Sequence, residues 1–242
     1  NIENIRISEA ALRDGMILNF ISEERPNLDL VANFPNPRKR SIYELLRKCN
    51  WMEAHSTHVS SMALQLFDEF KIELELEEAD RELLEYASLM HDIGYYISYS
   101  KHHKHALYLI IHSDLKGFTE DEINIMANVA RYHRKSFPKK SHFFYKNLEK
   151  PLQKKVRKLS ALLRLADGLD RSHYQNVEKL EIENDNKIVN FYITTMSDPE
   201  LEIWGAERKS KLFQKVTGKK LEIYAVNTNE PERIQNLTGS SS

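Results

Sequence analysis

Helical periodicity from residue 41 to residue 174 constrains the fold of this chain more than any other feature. Apolar side chains recur at spacings of three and four, as in Val59, Met62 and Leu66, which is typical of amphipathic helices. A capping box opens at Thr119, and isolated glycines and prolines separate the periodic segments. The pattern predicts a bundle of about six helices over residues 41–174.

Further along the chain, the pattern becomes that of short strands. Residues 177–194 alternate apolar with polar side chains on both sides of an Asn-Asp-Asn turn, which predicts a hairpin. A helical segment at 199–216 and a strand at 221–226 complete a small ββαβ unit over residues 175–226. The predicted fold class is therefore mainly α, with a helical bundle followed by a small α+β domain.

The two ends of the chain lie outside these units. Residues 1–40 are predicted to contain an N-terminal helix, capped by Ser8, and a surface linker at 23–40 that includes three prolines. Residues 227–242 are rich in Asn, Ser, Glu and Gly, and they are predicted to form a flexible tail.

Composition excludes several classes of protein and site. The 35 basic and 36 acidic residues leave a formal net charge of -1, so no global field favours nucleic acid or an acidic membrane. The seven glycines are isolated from one another, which argues against glycine-rich phosphate loops. The single cysteine, Cys49, favours a cytoplasmic location, and no apolar run predicts a membrane span. The chemistry is therefore expected to come from histidines and carboxylates.

Ten histidines are present, and six of them lie between His91 and His133. The pair His91-Asp92 ends a predicted helix, where one nitrogen and one oxygen can meet at a single ion. His58 projects from the buried edge of an earlier helix, and Asp167 lies among apolar residues on a later one. A histidine, a His-Asp pair and a distant aspartate from separate helices form an arrangement that holds a divalent metal.

Each of these residues alone has an ordinary structural explanation. His58 is then a hydrogen-bonded core histidine, and Asp167 is the ion-pair partner of a nearby arginine. Together they favour one or two divalent ions, and the sequence does not distinguish manganese, iron, magnesium and zinc. His105 and His133 are predicted to complete the ligand set of a second ion.

A basic segment accompanies the histidines. Residues 131–140 contain five basic residues and no acidic one, and residues 101–104 form a second basic stretch. A solvated helix end explains one or two of these cations but not all five. A phosphorylated small molecule or polyphosphate is the simplest common partner. Nucleic acid is not favoured, because Tyr132 and Phe137 are the only stacking residues in the basic segment.

Several uncommon strings occur in order along residues 5–225, namely ISEAALRDG at 7–15, LMHDIG at 89–94, HKH at 103–105, RYHRK at 131–135 and LRLADGLDR at 163–171. Together they resemble the C-terminal part of the exopolyphosphatase/guanosine pentaphosphate phosphohydrolase (Ppx/GppA) family. The spacing of His58, His91-Asp92 and Asp167 also resembles the HD superfamily of metal-dependent phosphohydrolases.

The resemblance implies a domain layout. Residues 1–40 would include the remnant of an actin-like domain, residues 41–174 would be an HD-type helical domain, and residues 175–226 would be a small α/β end domain. The family's usual exopolyphosphatase site lies in its actin-like domains, so this chain alone is not expected to carry that activity.

The resemblance also implies functional residues. Asp92 and His91 would be catalytic, with a water that bridges two metal ions attacking a phosphoester, and Lys101, Arg134 and Lys135 would hold the phosphate. The leading hypothesis is an HD-type, metal-dependent phosphohydrolase domain that acts on a nucleotide or another phosphorylated substrate. The alternative is a non-catalytic accessory module that binds polyphosphate and forms a homodimer.

Overall fold

The computed structural model describes residues 12–226. The predicted fold class is confirmed in this part of the chain, except that two helices replace the single helix predicted at 199–216. Predictions for residues 1–11 and 227–242, including the Ser8 cap and the flexible tail, lie outside the described residues. The elements are α1 (Leu12–Asn33), α2 (Pro37–Lys48), α3 (Glu53–Phe70), α4 (Glu78–Leu89), α5 (His102–Ile111), α6 (Glu120–Arg131), α7 (Phe143–Lys146), α8 (Lys150–Leu169), β1 (Val177–Asn184), β2 (Ile188–Thr195), α9 (Glu200–Lys209), α10 (Lys211–Thr217) and β3 (Lys220–Ala225).

The N-terminal region differs from the predicted linker. α1 continues through residue 26, a proline, to Asn33, so most of the segment between residues 23 and 36 is helical. A proline removes one backbone donor and disfavours a helix, but it does not exclude one. α1 is the longest described helix, and neither it nor any other described helix is long and apolar enough to cross a lipid bilayer.

α8 is the central helix of the bundle. Its residues from Leu159 to the end are buried on every side, because α3, α6, α9 and α10 pack around them. This buried stretch includes the charged residues Arg164 and Asp167, followed directly by Asp170. Buried charges require partners, so polar groups from neighbouring elements must converge on this part of α8.

α6 begins with the predicted capping box. The hydroxyl of Thr119 accepts a hydrogen bond from the backbone N–H of Glu122, and the Glu122 carboxylate accepts one from the backbone N–H of Thr119. The helix ends at Arg131, shortly before the predicted end at residues 133–134. His133 therefore lies in the turn that follows α6.

The small C-terminal sheet has the strand order β1-β2-β3, with β2 antiparallel to β1 and parallel to β3. The alternate residues Val189, Phe191 and Ile193 of β2 are buried, as the period-two pattern predicts. A parallel pair of strands needs a crossover connection, and α9 with α10 provides it. The crossover packs α9 and α10 against α8.

α8 and α9 cross at two glycines. A Cβ atom at Gly168 would lie 2.7 Å from the Cα atom of Ala206, and one at Gly205 would lie 2.8 Å from the Cβ atom of Arg171. Such contacts leave no room for a side chain, so the two helices touch through their backbones. The crossing holds the C-terminal end of α9 beside the turn of α8 that bears Asp167.

Candidate metal centre

Six buried side chains from five parts of the helical bundle converge in one place. His55 comes from α3, the pair His91-Asp92 follows α4, and the others come from α5, α8 and the turn after α6. The complete set is His55, His91, Asp92, His102, His133 and Asp167.

Hydrogen bonds fix the tautomer of three of the four histidines. The Nδ1 atoms of His91 and His133 each lie 2.6 Å from the backbone carbonyl oxygen three residues earlier, and the Nδ1 atom of His102 lies 3.1 Å from the equivalent oxygen. A carbonyl oxygen only accepts hydrogen bonds, so each Nδ1 carries a proton. The neutral imidazole therefore has a bare lone pair on Nε2, which is the atom that ligates a metal ion.

His55 is oriented in a related way, but by a carboxylate. Its Nδ1 atom donates a hydrogen bond to Oδ2 of the fully buried Asp170 at 2.7 Å. Its Nε2 atom then lies 3.2 Å from Nε2 of His91. Two nitrogen lone pairs at this distance repel each other unless a proton or a metal cation lies between them. The pair is therefore a candidate for ligating one shared cation.

The first group of candidate ligands contains His55, His91, Asp92 and Asp167. The two Nε2 atoms lie between 3.6 and 3.9 Å from Oδ2 of Asp92 and Oδ1 of Asp167. Ligands about 2.1 Å from a shared ion are about 3.0 to 3.4 Å from one another. Small side-chain movements would therefore close this group around one ion.

The second group uses the other oxygen of the same aspartate. Oδ1 of Asp92 lies 3.2 Å from Nε2 of His102 and 3.5 Å from Nε2 of His133. This oxygen is buried and accepts no hydrogen bond within the described residues. Asp92 thus offers one oxygen to each group, which is the arrangement of a carboxylate that bridges two ions.

The surroundings keep the candidate ligands in protonation states that suit metal binding. Burial lowers the pKa of His91 and, more strongly, that of His133, so both imidazoles remain neutral. Burial opposes the charge of Asp92, yet the pKa of this carboxyl group lies well below its usual range. A proton that enters the cluster binds to His91, His102 or His133 in preference, and the positive charge of that imidazole keeps the carboxylate ionised. The pKa of Asp167 is also lowered, because Lys209 and the histidines outweigh the effect of burial.

A cavity of about 360 Å³ opens next to the six candidate ligands. Asp92, His102, His133 and Asp167 form part of its wall. The remaining wall combines cationic and aromatic side chains, which suits an anion attached to an apolar ring. The cationic residues are Arg134, Lys135, Arg164, Arg171, Arg208 and Lys209, and the aromatic residues are Tyr95, Tyr99 and Trp204.

Two cations of the protein already contact ligand atoms. The Nη1 atom of Arg134 lies 3.0 Å from Nε2 of His102, which is therefore acting as an acceptor. The ammonium group of Lys209 donates a hydrogen bond to Oδ2 of Asp167. Both contacts show that the ligand atoms are placed to receive positive charge.

The structure brings together most of the residues that were selected from the sequence. Arg134 and Lys135, two of the three predicted phosphate-binding residues, line the cavity. Four of the six predicted metal ligands lie in the converging set, namely His91, Asp92, His133 and Asp167.

Three predicted residues are not part of this arrangement. His58 lies one helical turn after His55 on α3 and belongs to neither group, and its buried Nε2 atom has no hydrogen-bond partner in the described part of the chain. His105 is also outside both groups, and the exposed Lys101 does not line the cavity. His55 and His102 occupy the places that the sequence-based prediction gave to His58 and His105.

Two further residues near the centre were not selected from the sequence. His173 stacks on the ring of His55, with centroids 3.7 Å apart, and can form another ligand group with His55 and Asp92. Lys209 comes from α9, far along the chain from the other charged groups. Neither residue lies in a motif whose spacing indicates a shared site.

Comparison with known proteins gives a match to one family over most of the chain. Residues 38–202 match the family described as Ppx/GppA phosphatase, domain III. The matched region contains all six converging ligands and ends within α9, before Arg208 and Lys209.

Curated relatives are similar to a little over half of the chain. A guanosine-5'-triphosphate,3'-diphosphate pyrophosphatase of Photobacterium profundum is 30% identical over 134 residues, which is 55% of this chain and 25% of the relative. Proteins of the same name from Aeromonas salmonicida and Pseudoalteromonas translucida are 29% and 27% identical, each over 57% of this chain and 26% of the relative. The chain therefore spans about a quarter of the length of these relatives.

Proposed function

Because this chain belongs to the Ppx/GppA phosphatase family, matching its domain III, we propose that it is a metal-dependent phosphohydrolase of HD type. The observation that carries the proposal is the placement of Asp92, whose two carboxylate oxygens face two separate sets of histidine Nε2 atoms. In each set, the bare nitrogens are aimed at a point that a cation would occupy.

Two divalent ions fit this donor set. His55, His91 and Asp167 would hold one ion, His102 and His133 the other, and Asp92 would bridge them. Mixed imidazole and carboxylate ligands suit manganese, iron and zinc better than magnesium, which prefers oxygen. When bound, the ions supply Lewis acidity, which lowers the pKa of a water molecule and neutralises charge on the phosphoryl group.

The residues of the chain then position the substrate. Arg134 and Lys135, in the cavity wall, would bind phosphate oxygens, since a guanidinium group can contact two oxygens at once. Asp170 holds His55 in its ligating orientation, and backbone carbonyls do the same for His91 and His133. The ligands are therefore preorganised before a substrate enters.

The proposed substrate is a phosphorylated nucleotide. The names of the relatives describe action on a guanosine nucleotide, and the cavity wall here includes Tyr99 and Trp204, which can stack on a base. Trp204 is 46% exposed, and the guanidinium group of Arg208 lies 5.0 Å from its ring centroid. A cytoplasmic location, favoured by the single cysteine Cys49, is part of the same proposal.

Metal analysis followed by a phosphatase screen tests the proposal. The purified chain is loaded with Mn²⁺, its metal content is measured by mass spectrometry, and phosphate release is measured from a panel of nucleotides. We expect about two ions per chain and activity that Asp92→Ala abolishes, while Asp68→Ala, a surface control paired with Arg81, retains both. A wild-type chain without bound metal, or an Asp92→Ala variant with full activity, would refute the proposal.

A second candidate function is binding of polyphosphate without turnover, with two copies of the chain forming a homodimer. It is favoured by a basic surface around His142, where burial and the nearby Arg131, Lys139 and Lys104 lower the pKa of the imidazole. This hypothesis predicts salt-sensitive polyphosphate binding that survives Asp92→Ala and is lost when Arg131 and Lys139 are neutralised. The oligomeric state follows from light scattering of the same samples.

A further inference from the structure

Lys209 joins the C-terminal unit to the candidate metal centre. It is the last residue of α9, and its ammonium group contacts Oδ2 of Asp167 inside the cavity. The other oxygen of Asp167 belongs to the first ligand group, with His55 and His91. One carboxylate thus faces a ligand set on one side and a lysine from a different structural unit on the other.

The position of Lys209 is set by the packing of two helix backbones. The crossing of α8 and α9 at Gly168 and Gly205 leaves no space for a side chain between them. Lys209 follows Gly205 by four residues, and Asp167 directly precedes Gly168, so the two charged groups meet one turn from the crossing. The packing of the two helices therefore holds Lys209 in the cavity wall. It does not reach the cavity as a flexible surface side chain.

The hydrogen-bonding capacity of Lys209 exceeds what the chain uses. An ammonium group has three N–H donors. The structure gives Lys209 one hydrogen bond within the described residues, to Asp167, which leaves two donors at the cavity wall. Arg164 adds further positive charge nearby, so an anion in the cavity would be the natural acceptor.

A metal ion in the first group would change the balance at Asp167. The ion and the ammonium group of Lys209 would share one carboxylate while repelling each other. Because the carboxylate charge would then be neutralised by the ion, the lysine would turn its donors toward a phosphate oxygen in the cavity. The same argument applies to Arg134, whose guanidinium group contacts Nε2 of His102.

We propose that Lys209 is a phosphate-positioning residue, and that the C-terminal unit is therefore an integral part of the active site. The proposal rests on the proposed metal-dependent function. It assigns to α9 a role in binding the phosphate group, in addition to the packing of the ββαβ unit against the bundle.

Two binding measurements on the full chain test this role without requiring turnover. Mn²⁺ binding is measured by mass spectrometry and calorimetry, and inorganic phosphate is then titrated into the Mn²⁺-loaded protein. The variants are Lys209→Met, Lys209→Arg as the conservative change, and Lys211→Met as a matched control at an exposed position two residues away.

Replacing Lys209 should affect the affinities for Mn²⁺ and for phosphate differently. Lys209→Met should bind the same number of Mn²⁺ ions at least as tightly as wild type, because a competing cation is gone. It should bind phosphate about 10 to 100 times more weakly, because a charged hydrogen-bond donor is gone. Lys209→Arg should recover most of the phosphate affinity, and Lys211→Met should match wild type for both ligands.

Other outcomes overturn the proposal in distinguishable ways. Unchanged phosphate affinity in Lys209→Met, with Mn²⁺ still bound, would remove the role of Lys209 and leave the metal centre intact. Loss of Mn²⁺ from this variant would show that Lys209 only maintains the metal site. Failure of the wild-type chain to bind Mn²⁺ would reject the proposed function and this inference together. If Lys209→Met does not fold by circular dichroism, Lys209→Gln takes its place.

Discussion

Asp170 accepts a hydrogen bond from Nδ1 of His55 at 2.7 Å, and this contact turns the opposite nitrogen of the ring toward His91. The other oxygen of Asp170 accepts the backbone N–H of Gln175 at 2.8 Å, so the carboxylate is itself fixed. A carboxylate behind a ligating histidine sets its tautomer and raises its basicity. Asp170 is therefore expected to contribute to metal affinity although it is outside both ligand groups.

Replacing Asp170 with Asn tests this contribution. The amide keeps the shape of the side chain but removes the negative charge behind His55. We expect Mn²⁺ affinity to fall about 10- to 100-fold, as is typical when such a partner is changed. Calorimetric titration measures the effect, with Asp68→Asn on the surface as the control. Equal affinity in the two variants would show that the His55–Asp170 contact is only structural.

Paired alanine substitutions on α3 distinguish the histidine chosen from sequence from the one that the structure places at the centre. His55→Ala should reduce Mn²⁺ affinity by about 100-fold or more, because it removes a ligand and not only its support. His58→Ala, one turn away, should leave Mn²⁺ affinity within a few-fold of wild type. Mass spectrometry of the metal-loaded chains gives the stoichiometry directly, and the reverse result would restore the sequence-based assignment.

The difference between the predicted ligand His58 and the His55 that lies in the converging set has a physical explanation. The line of spacing four through His58, Met62 and Leu66, on which the prediction was based, drifts around the helix by about 40° at each step. The spacing of four, three and four through His55, Val59, Met62 and Leu66 stays closer to one face, and His55 lies on it. Both periodicities are thus present in the sequence, because two histidines three residues apart compete for the same apolar face of α3.

Other parts of the site depend on tertiary contacts that the spacing of residues along the sequence does not predict. The pair His91-Asp92 and Asp167 lie within or beside regular helical patterns, so their burial could be predicted. Lys209 reaches the centre only through the crossover of α9 against α8. No local pattern in the sequence reports that crossing, although the isolated Gly168 and Gly205 are consistent with it.

The buried histidines also predict how the stability of the metal-free chain depends on pH. Burial lowers the pKa of His91 and His133 in the folded state, so below about pH 6.5 the unfolded chain binds more protons than the folded chain. Stability should therefore fall as pH decreases from 6.5, by at most about 1.4 kcal/mol per pH unit for each histidine.

The contribution of His133 to this pH dependence can be measured with the variant His133→Asn. In EDTA, the melting temperature of wild type should fall between pH 7.5 and 5, and the fall should be smaller in His133→Asn. His105→Asn, which removes a histidine outside the ligand groups, should keep the wild-type slope. Calorimetry at several pH values gives the slopes, and identical slopes for wild type and His133→Asn would contradict the prediction.

Trp204 is expected to determine the preference for a substrate that carries a base. In the Mn²⁺-loaded chain, Trp204→Ala should weaken GTP binding by about 10-fold, since base stacking contributes about 1 to 3 kcal/mol. Binding of inorganic triphosphate, which has no ring, should not change. Trp204→Phe retains a stacking surface, so its affinity for GTP should lie between that of wild type and that of Trp204→Ala. An equal loss for both ligands would show that Trp204 maintains the cavity and does not bind a base.

Gly94 sets the distance between the turn that bears Asp92 and the start of α5. A Cβ atom at this position would overlap the carbonyl oxygen of His102 and lie 2.6 Å from the backbone nitrogen of Ala106. Gly94→Ala should therefore push α5 away and cost about 1 to 3 kcal/mol of folding free energy, as overpacking does in a close-packed core.

The functional consequence of Gly94→Ala should be selective. His102 would move away from Oδ1 of Asp92, so the second ion should be lost or bound more weakly than the first. Gly15→Ala is the control, because a Cβ atom at that exposed helical position meets nothing within 4 Å. Urea unfolding gives the change in stability, and Mn²⁺ stoichiometry gives the loss of the second ion. Retention of both ions with equal affinity in Gly94→Ala would show that the close approach of α5 at Gly94 is not what brings His102 to Asp92.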